Sequence, residues 1–398
     1  MKRGDAIWIL LAALSLSAVL FALTDRRETS ALENRSLTPF PRFSAQGFIS
    51  GETQDQLEKA LGDHLPFSEE IRGTVREAQA GVLRLQQDAI YGAFPALRDH
   101  YTQIAEGYYS YAGDAHRIVE KPAWDGTVPE GLRAFAERLK PLSGVHQAVY
   151  WIDNSRSVSF DAPEETAGAR EAVLGLFSGA DTGVFSFDGY EEYCRLFYQT
   201  DHHWNADGSY RGYTEILELL RPGETPVPAA EEIVFPMVFN GSYARQTNRL
   251  CADEPFRIYR FELPKAAVTL NGRRGTYGRM DAYLKGRYSD EPLANHYSAC
   301  YGGEYGEIVY DTGRTGNGTL LVFASSYSNP INGLLASHFD RTVIIDPRYY
   351  AQWAGTEPDP ERLVREYGVT DLLLLGDTEF FLKDLAGEPA GDAEGGEQ

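Results

Sequence analysis

The sequence predicts an α/β layered domain with a mostly parallel sheet, and three observations carry that expectation. Four compact apolar runs, "VHQAVYWID", "GTLLVFA", "RTVIID" and "VTDLLLLGD", have the length and content of strands buried on both faces. Helical patterns such as "PEGLRAFAERLKPL" and "EETAGAREAVLGLF" lie between several of them, the alternation that layered α/β folds need. One unit, Gly318 to Tyr350, reads as strand, polar turn, capped helix and strand, and the right-handed crossover rule makes its two strands parallel.

In chain order, Lys2 and Arg3 precede "AIWILLAALSLSAVLFAL", Ala6 to Leu23, 18 residues without a charge. That is close to the ~20 residues that cross a bilayer, and basic residues ahead of it fit the positive-inside rule. Residues 1–24 are therefore expected to be an uncleaved anchor with its N-terminus in the cytoplasm and the rest of the chain outside. The alternative is a signal segment cleaved before secretion, although the small-residue cleavage pattern is weak, with Leu20 two before Ala22. Residues 25–90 read as a proline-punctuated juxtamembrane leader followed by two helices broken at Pro66, with Phe67 and Ser68 opening the second. Residues 91–382 hold the α/β pattern, and 231–290, rich in turns, are an insertion candidate. The end of the chain, 383–398, carries "GEPAGDAEGGEQ", with no apolar anchor beyond alanine, and is expected to be a disordered acidic tail.

Charge narrows the function. The 37 basic and 58 acidic residues leave a net charge of -21, which argues against nucleic acid as a partner because no broad face neutralises phosphates. The three cysteines, Cys194, Cys251 and Cys300, have no metal-ligand spacing and cannot form a disulfide framework.

The chemistry concentrates in two stretches. In "QTDHHWNADGSYRGYTEILELL", Tyr210, Tyr213, Leu217 and Leu220 recur at helical spacing, and Asn205 is the expected N-cap. If the segment leading into that helix is extended, Asp201 and His203 point to one side and His202 to the other. A carboxylate beside an imidazole fixes its tautomer and stabilises the imidazolium, so His203 is the candidate base and Asp201 its orienter. Trp204 is expected to wall the site against water. The plainer alternative is two histidines satisfied by backbone groups at a helix start. In the second stretch, Ser325, Ser326 and Ser328 occupy the turn after a strand, where open α/β sheets place ligands. Asn329 and Pro330 are expected to open the following helix as N-cap and first turn. A serine in such a turn has the placement a nucleophile needs, and nearby backbone N–H groups suit an oxyanion.

Five segments, "ENRSLTPFP", "DHLPFSEEIR", "TDHHWNADGSY", "YGGEYGEIVYDTG" and "SSYSNPI…VIIDPRYY", together resemble the DHHW protein family, from about Thr24 to Leu382. That family is related to the SGNH-hydrolase-like proteins of the alginate O-acetylation machinery. The resemblance implies a single-pass extracytoplasmic protein with a three-layer, flavodoxin-like SGNH-hydrolase fold in permuted motif order, Asp and His preceding Ser. Carried over residue by residue, it implies a triad of Asp201, His203 and Ser326. It implies an O-acetyltransferase or O-acetylesterase acting on a cell-envelope or exopolysaccharide, without cofactor or metal, beside a membrane-bound O-acyltransferase. The Ser326 backbone is the expected oxyanion donor. Asn240 and Gly241 in "VFNGSYARQ", Tyr327, Trp204, and Arg348 in "DPRYY" are further candidates for binding oxyanion or substrate, Arg348 as a clamp on an acidic sugar or, alternatively, paired with a structural carboxylate.

One position departs from the family, which has Asp before the serine where this chain has Ser325. That aspartate is not the triad acid, so the departure bears on rate, substrate or activity itself. A catalytically inactive carbohydrate-binding or scaffold protein of an acetylation complex is therefore the main rival. A metal phosphoesterase of the Asp-His-His type needs several more ligands, and "WIDNSRS" offers only Asp153. A membrane transferase of the Asp-His-His-Cys type is excluded because Trp204 stands where its cysteine nucleophile belongs.

Overall fold

A computed structural model of the chain describes residues 15–386 apart from 18, 21, 26, 28, 31–34, 66–67, 163–167, 251–252 and 304. The four apolar runs become neighbours in one sheet of eight strands: β1 (His146–Ile152), β2 (Asp181–Phe185), β3 (Ala267–Leu270), β4 (Arg273–Gly275), β5 (Glu307–Asp311), β6 (Thr319–Ala324), β7 (Arg341–Ile345) and β8 (Asp371–Gly376). The order is β4-β3-β5-β7-β6-β8-β1-β2. From β7 to β2 the pairing is parallel, and β5, β3 and β4 extend one edge antiparallel.

Alternation along each strand splits the core into two layers. Val149, Trp151, Leu321, Phe323, Leu372 and Leu374 face helix α1 (Glu130–Leu139) through Leu132, Phe135 and Leu139. Ala148, Tyr150, Leu320, Val322, Leu373 and Leu375 face the other way. There, after α2 (Gly189–Leu196), helix α3 (Ala206–Leu220) covers them with Tyr213, Ile216, Leu217 and Leu220. This is a three-layer α/β arrangement. Leu373 and Leu375 of β8 are 0% exposed, and truncating such a leucine to alanine costs about 2–5 kcal/mol.

Several expectations change shape. The 231–290 stretch is not one insertion. Its first part is a hairpin, Glu231–Val238 with Pro255–Arg260, over an aromatic cluster of Phe235, Phe239 and Phe256; its second supplies β3 and β4 of the main sheet. Those edge strands are short and partly exposed, so they lack the apolar run that marks the central ones. At the other end, Leu385 and Ala386 are buried in the core, which moves the start of the tail past 383; 387–398 lie outside the described residues. The two N-terminal helices span Glu52–His64 and Ser68–Ala93. Among the described residues no helix is long and apolar enough to cross a membrane, and most of Ala6–Leu23 lies outside them.

Candidate active site

Strand β6 delivers its chain to the carboxyl edge of the sheet, where Ser325 stays extended and Ser326–Ser328 turn in a single 3-10 loop. Helix Asn332–Ala336 follows without a side-chain cap. Asn329 is not the N-cap expected. Its side-chain oxygen accepts from the Tyr277 hydroxyl at 2.8 Å and its amide donates to the Gly302 carbonyl, so a neighbouring segment has recruited it.

The segment before α3 is fixed from three sides. Asn205 caps the helix as expected, its oxygen accepting from the N–H groups of Asp207 and Gly208. Phe197 and Trp204 bridge across the loop. Buried Arg117 donates to the carbonyls of Cys194, Phe197 and Tyr198, at 3.0, 3.0 and 2.7 Å. Nothing in the sequence marks Arg117, because backbone carbonyls carry no residue signature.

Held this way, Asp201 and His203 meet Ser326. Asp201 Oδ1 accepts from the His203 N–H at 3.0 Å and lies 2.6 Å from Nδ1 of the same residue. His203 Nε2 lies 2.8 Å from Ser326 Oγ. The consistent assignment puts the imidazole proton on Nδ1 and aims the Nε2 lone pair at the serine O–H. Asp201 Oδ2 accepts from the Ser242 N–H at 2.7 Å. Burial pushes the Asp201 carboxyl up, but the facing His203 and His202 and the bonds from His203 outweigh it and hold the group well below the usual carboxylate range. The three residues are 3%, 6% and 8% exposed, so the line is nearly dry.

The other candidates have different duties. Gly241 donates its N–H to Thr200 Oγ1, which removes it as an oxyanion donor. Its lack of a side chain matters instead, since a Cβ there would sit 2.3 Å from Asp201 Oδ2. Asn240 is buried and donates to the Pro292 carbonyl. Tyr327 is a strut whose hydroxyl donates to the His202 carbonyl and accepts from Asn154. Trp204 is not a wall but core: 0% exposed, it packs edge-on against Phe185 and Tyr327. Arg348 binds its neighbour Asp346 at 2.7 and 3.0 Å, the structural pairing rather than an open clamp.

His202 does not point away from His203. The segment bends instead of running extended, and the two rings lie 3.8 Å apart between centroids. Tyr297, which the sequence reading missed, stacks on His203 at 4.0 Å and 16° and donates its hydroxyl to the Ser326 carbonyl. Asn154 and Asp377 were missed too. They are joined at 2.8 Å, and both follow buried strands at their carboxyl ends, a placement the sequence does show.

Asp201, His202 and His203 also bring ligand atoms within 4.8 Å of one another, the spacing a metal ion would need. The donor set fits an ion poorly: both His203 nitrogens face partners in the line, and His202 Nδ1 faces Ser242 Oγ at 3.0 Å. A catalytic zinc takes three protein ligands with free lone pairs and one open position.

No family model matches the sequence, and no curated protein does. Solved structures do. PatB1 of Bacillus cereus covers 69% of this chain and 98% of its own at 18% identity, with a TM-score of 0.52. The chain shares its fold with PatB1. A second PatB1 structure, carrying a sulfonyl adduct, gives 17% identity over 69% of this chain and 96% of that one, with a TM-score of 0.50. A DHHW family protein from Eubacterium siraeum covers 72% and 95% at 18% identity, with a TM-score of 0.49.

Proposed function

We propose that the chain is an extracytoplasmic acyl-transfer enzyme, an O-acetyltransferase or O-acetylesterase acting on a cell-envelope or exopolysaccharide. The observation that carries this reading is the line from Asp201 through His203 to Ser326, at 2.6 and 2.8 Å, on the carboxyl edge of a mostly parallel sheet. Ser326 Oγ attacks an acyl carbonyl while His203 Nε2 takes its proton, and Asp201 stays ionised to stabilise the imidazolium. The tetrahedral oxyanion is met by the Ser326 N–H, which has no acceptor among the described residues. Collapse expels the donor's oxygen with the proton from His203 and leaves an acyl-serine. Water or a sugar hydroxyl, deprotonated by His203, then takes the acyl group. The near-complete cover of Ser326 and His203 favours a small acyl group such as acetyl. No step calls on a cofactor.

PatB1 in complex with a sulfonyl adduct adds support, because sulfonyl reagents modify activated hydroxyls. Localisation by an N-terminal anchor and partnership with a membrane-bound O-acyltransferase belong to the same reading. Incubation with a chromogenic acetyl ester, with and without glycan oligosaccharides, tests it. Acetyl-Ser326 in peptide mass spectra, lost in Ser326→Ala and chased onto glycan or water, is the expected result. Stoichiometric bound zinc or manganese in active protein would turn the reading toward metal hydrolysis.

A second reading rests on Ser325, which stands where the resembled family has Asp. Under it the domain binds polysaccharide without transfer, and wild-type protein forms no acyl-serine while still retaining glycan.

A further inference from the structure

We infer that His202 and Tyr297 form a two-sided aromatic clamp that holds the His203 ring against Ser326 and steadies it while it carries the proton. This rests on the reading of Ser326 as nucleophile. It also explains why two histidines stand side by side.

The geometry is specific. The His202 ring lies 3.8 Å from that of His203, tilted 35° to it, and the Tyr297 ring stacks 4.0 Å from it at 16°. Edge-to-face pairs sit farther apart, about 5 Å or more, so both neighbours cover faces of the imidazole. Among the described residues His202 and Tyr297 make no ring contact with each other, which puts them on opposite faces.

Each clamp member is anchored on a different part of the site. Tyr297 donates its hydroxyl to the Ser326 carbonyl at 2.9 Å, so one side chain fixes both the ring and the nucleophile's backbone. His202 Nδ1 faces Ser242 Oγ at 3.0 Å, and the Ser242 N–H holds Asp201. The clamp thus ties all three members of the line to one scaffold. π-Faces on both sides favour a cation between them.

Charge allows this only if His202 stays neutral. The groups facing it are His203, Asp201 at 3.7 Å, Arg156 and Arg348, with the Tyr243 and Tyr327 rings beyond. Burial, then the charge on His203, holds the His202 imidazole well below its usual range, with Asp201 opposing. His202 therefore stays neutral beside the imidazolium that forms on His203 when it takes the serine proton. Tyr297 faces Tyr301, Asp201, Tyr327 and Tyr277, and burial holds its phenol well above the usual value. It remains a neutral ring throughout.

The test measures the rate of Ser326 labelling by a fluorophosphonate from about pH 5 to 9 in wild type and four variants. His202→Leu and Tyr297→Leu remove a ring but keep the site dry. Each is expected to slow labelling about tenfold or more and to lower the pH of half-maximal rate by about half a unit. His202→Phe and Tyr297→Phe keep the face, so they should hold that pH, with Tyr297→Phe a few-fold slower through loss of its bond to Ser326. Leu and Phe variants with the same profile, or a Phe variant with a shifted one, would overturn the clamp alone. A wild-type protein that never labels would overturn the nucleophile as well.

Discussion

The two ends of the sheet hold the same three kinds of group in the same order. At the carboxyl end, Asp201, His203 and Ser326 form a line. At the amino end, Glu224 lies 2.5 Å from His338 Nδ1, and His338 Nε2 lies 2.7 Å from the Tyr213 hydroxyl. The second line borders a cavity of about 500 Å³, together with His146, Arg221 and Asp371. Its chemistry nevertheless differs from that of the first line. Its hydroxyl is a phenol on a residue 0% exposed, whose oxygen already accepts the Val227 N–H at 2.8 Å, and burial pushes it up to about 12. His146 beside it aims one nitrogen at Asp371 and the other at Asp181, leaving no lone pair directed at a hydroxyl. On the proposed reading, carboxylate, imidazole and hydroxyl become machinery only where the hydroxyl is a serine in a turn, its own N–H without an acceptor among the described residues. That turn follows a parallel strand.

The largest test of this contrast removes one imidazole at each end. His203→Ala should lower acetyl-ester turnover by about a thousandfold or more, while His338→Ala changes it less than about twofold and lowers thermal stability instead. Comparable kinetic losses would erase the distinction. Next in size is Gly241→Ala, whose new Cβ drives into Asp201. We expect an approximately ten- to hundredfold fall in turnover, with the fold retained by circular dichroism. Tyr213→Phe at the amino end leaves the part-buried Val227 N–H unpaired and should cost about 1 kcal/mol in denaturant unfolding, with turnover unchanged.

The smallest effect concerns pH. At the carboxyl end burial pushes the Asp384 carboxyl up to about 8, against the opposing charge of Arg348. An acid raised on folding keeps its proton while the unfolded chain releases it, so this group withdraws stability as pH climbs from about 4 toward 8. Asp384→Asn should therefore raise the melting temperature at about pH 8 by a few degrees and leave it unchanged near pH 4. Asp201 has the opposite sign. Held low by its imidazoles, it contributes stability above the ordinary carboxylate value near pH 4, and that contribution is lost as pH falls below it.

Much of this was legible in the sequence because it is local. Apolar runs marked the four central strands, and Asn205 marked the start of α3. Asp201, His203 and Ser326 were legible as residue types at a helix start and a strand end, which their chemistry requires. What stayed hidden depends on segments far apart in the chain. Trp204 looked like a wall because nothing local shows that Phe185 and Tyr327 enclose it. Gly241 looked like a donor, although its value is the space it leaves for Asp201. Strand alternation places His202 on the wrong side because the segment bends where the Tyr327 hydroxyl binds the His202 carbonyl. Edge strands β3 and β4 escaped for another reason: half-exposed strands need no apolar run.

The most direct measurement is peptide mapping after treatment of the full-length protein with a fluorophosphonate. One adduct on Ser326, absent in His203→Ala and retained in Ser325→Ala and His338→Ala, is what the account predicts. An adduct on Ser325, or an unmodified wild-type chain under conditions where the protein is folded, would contradict it.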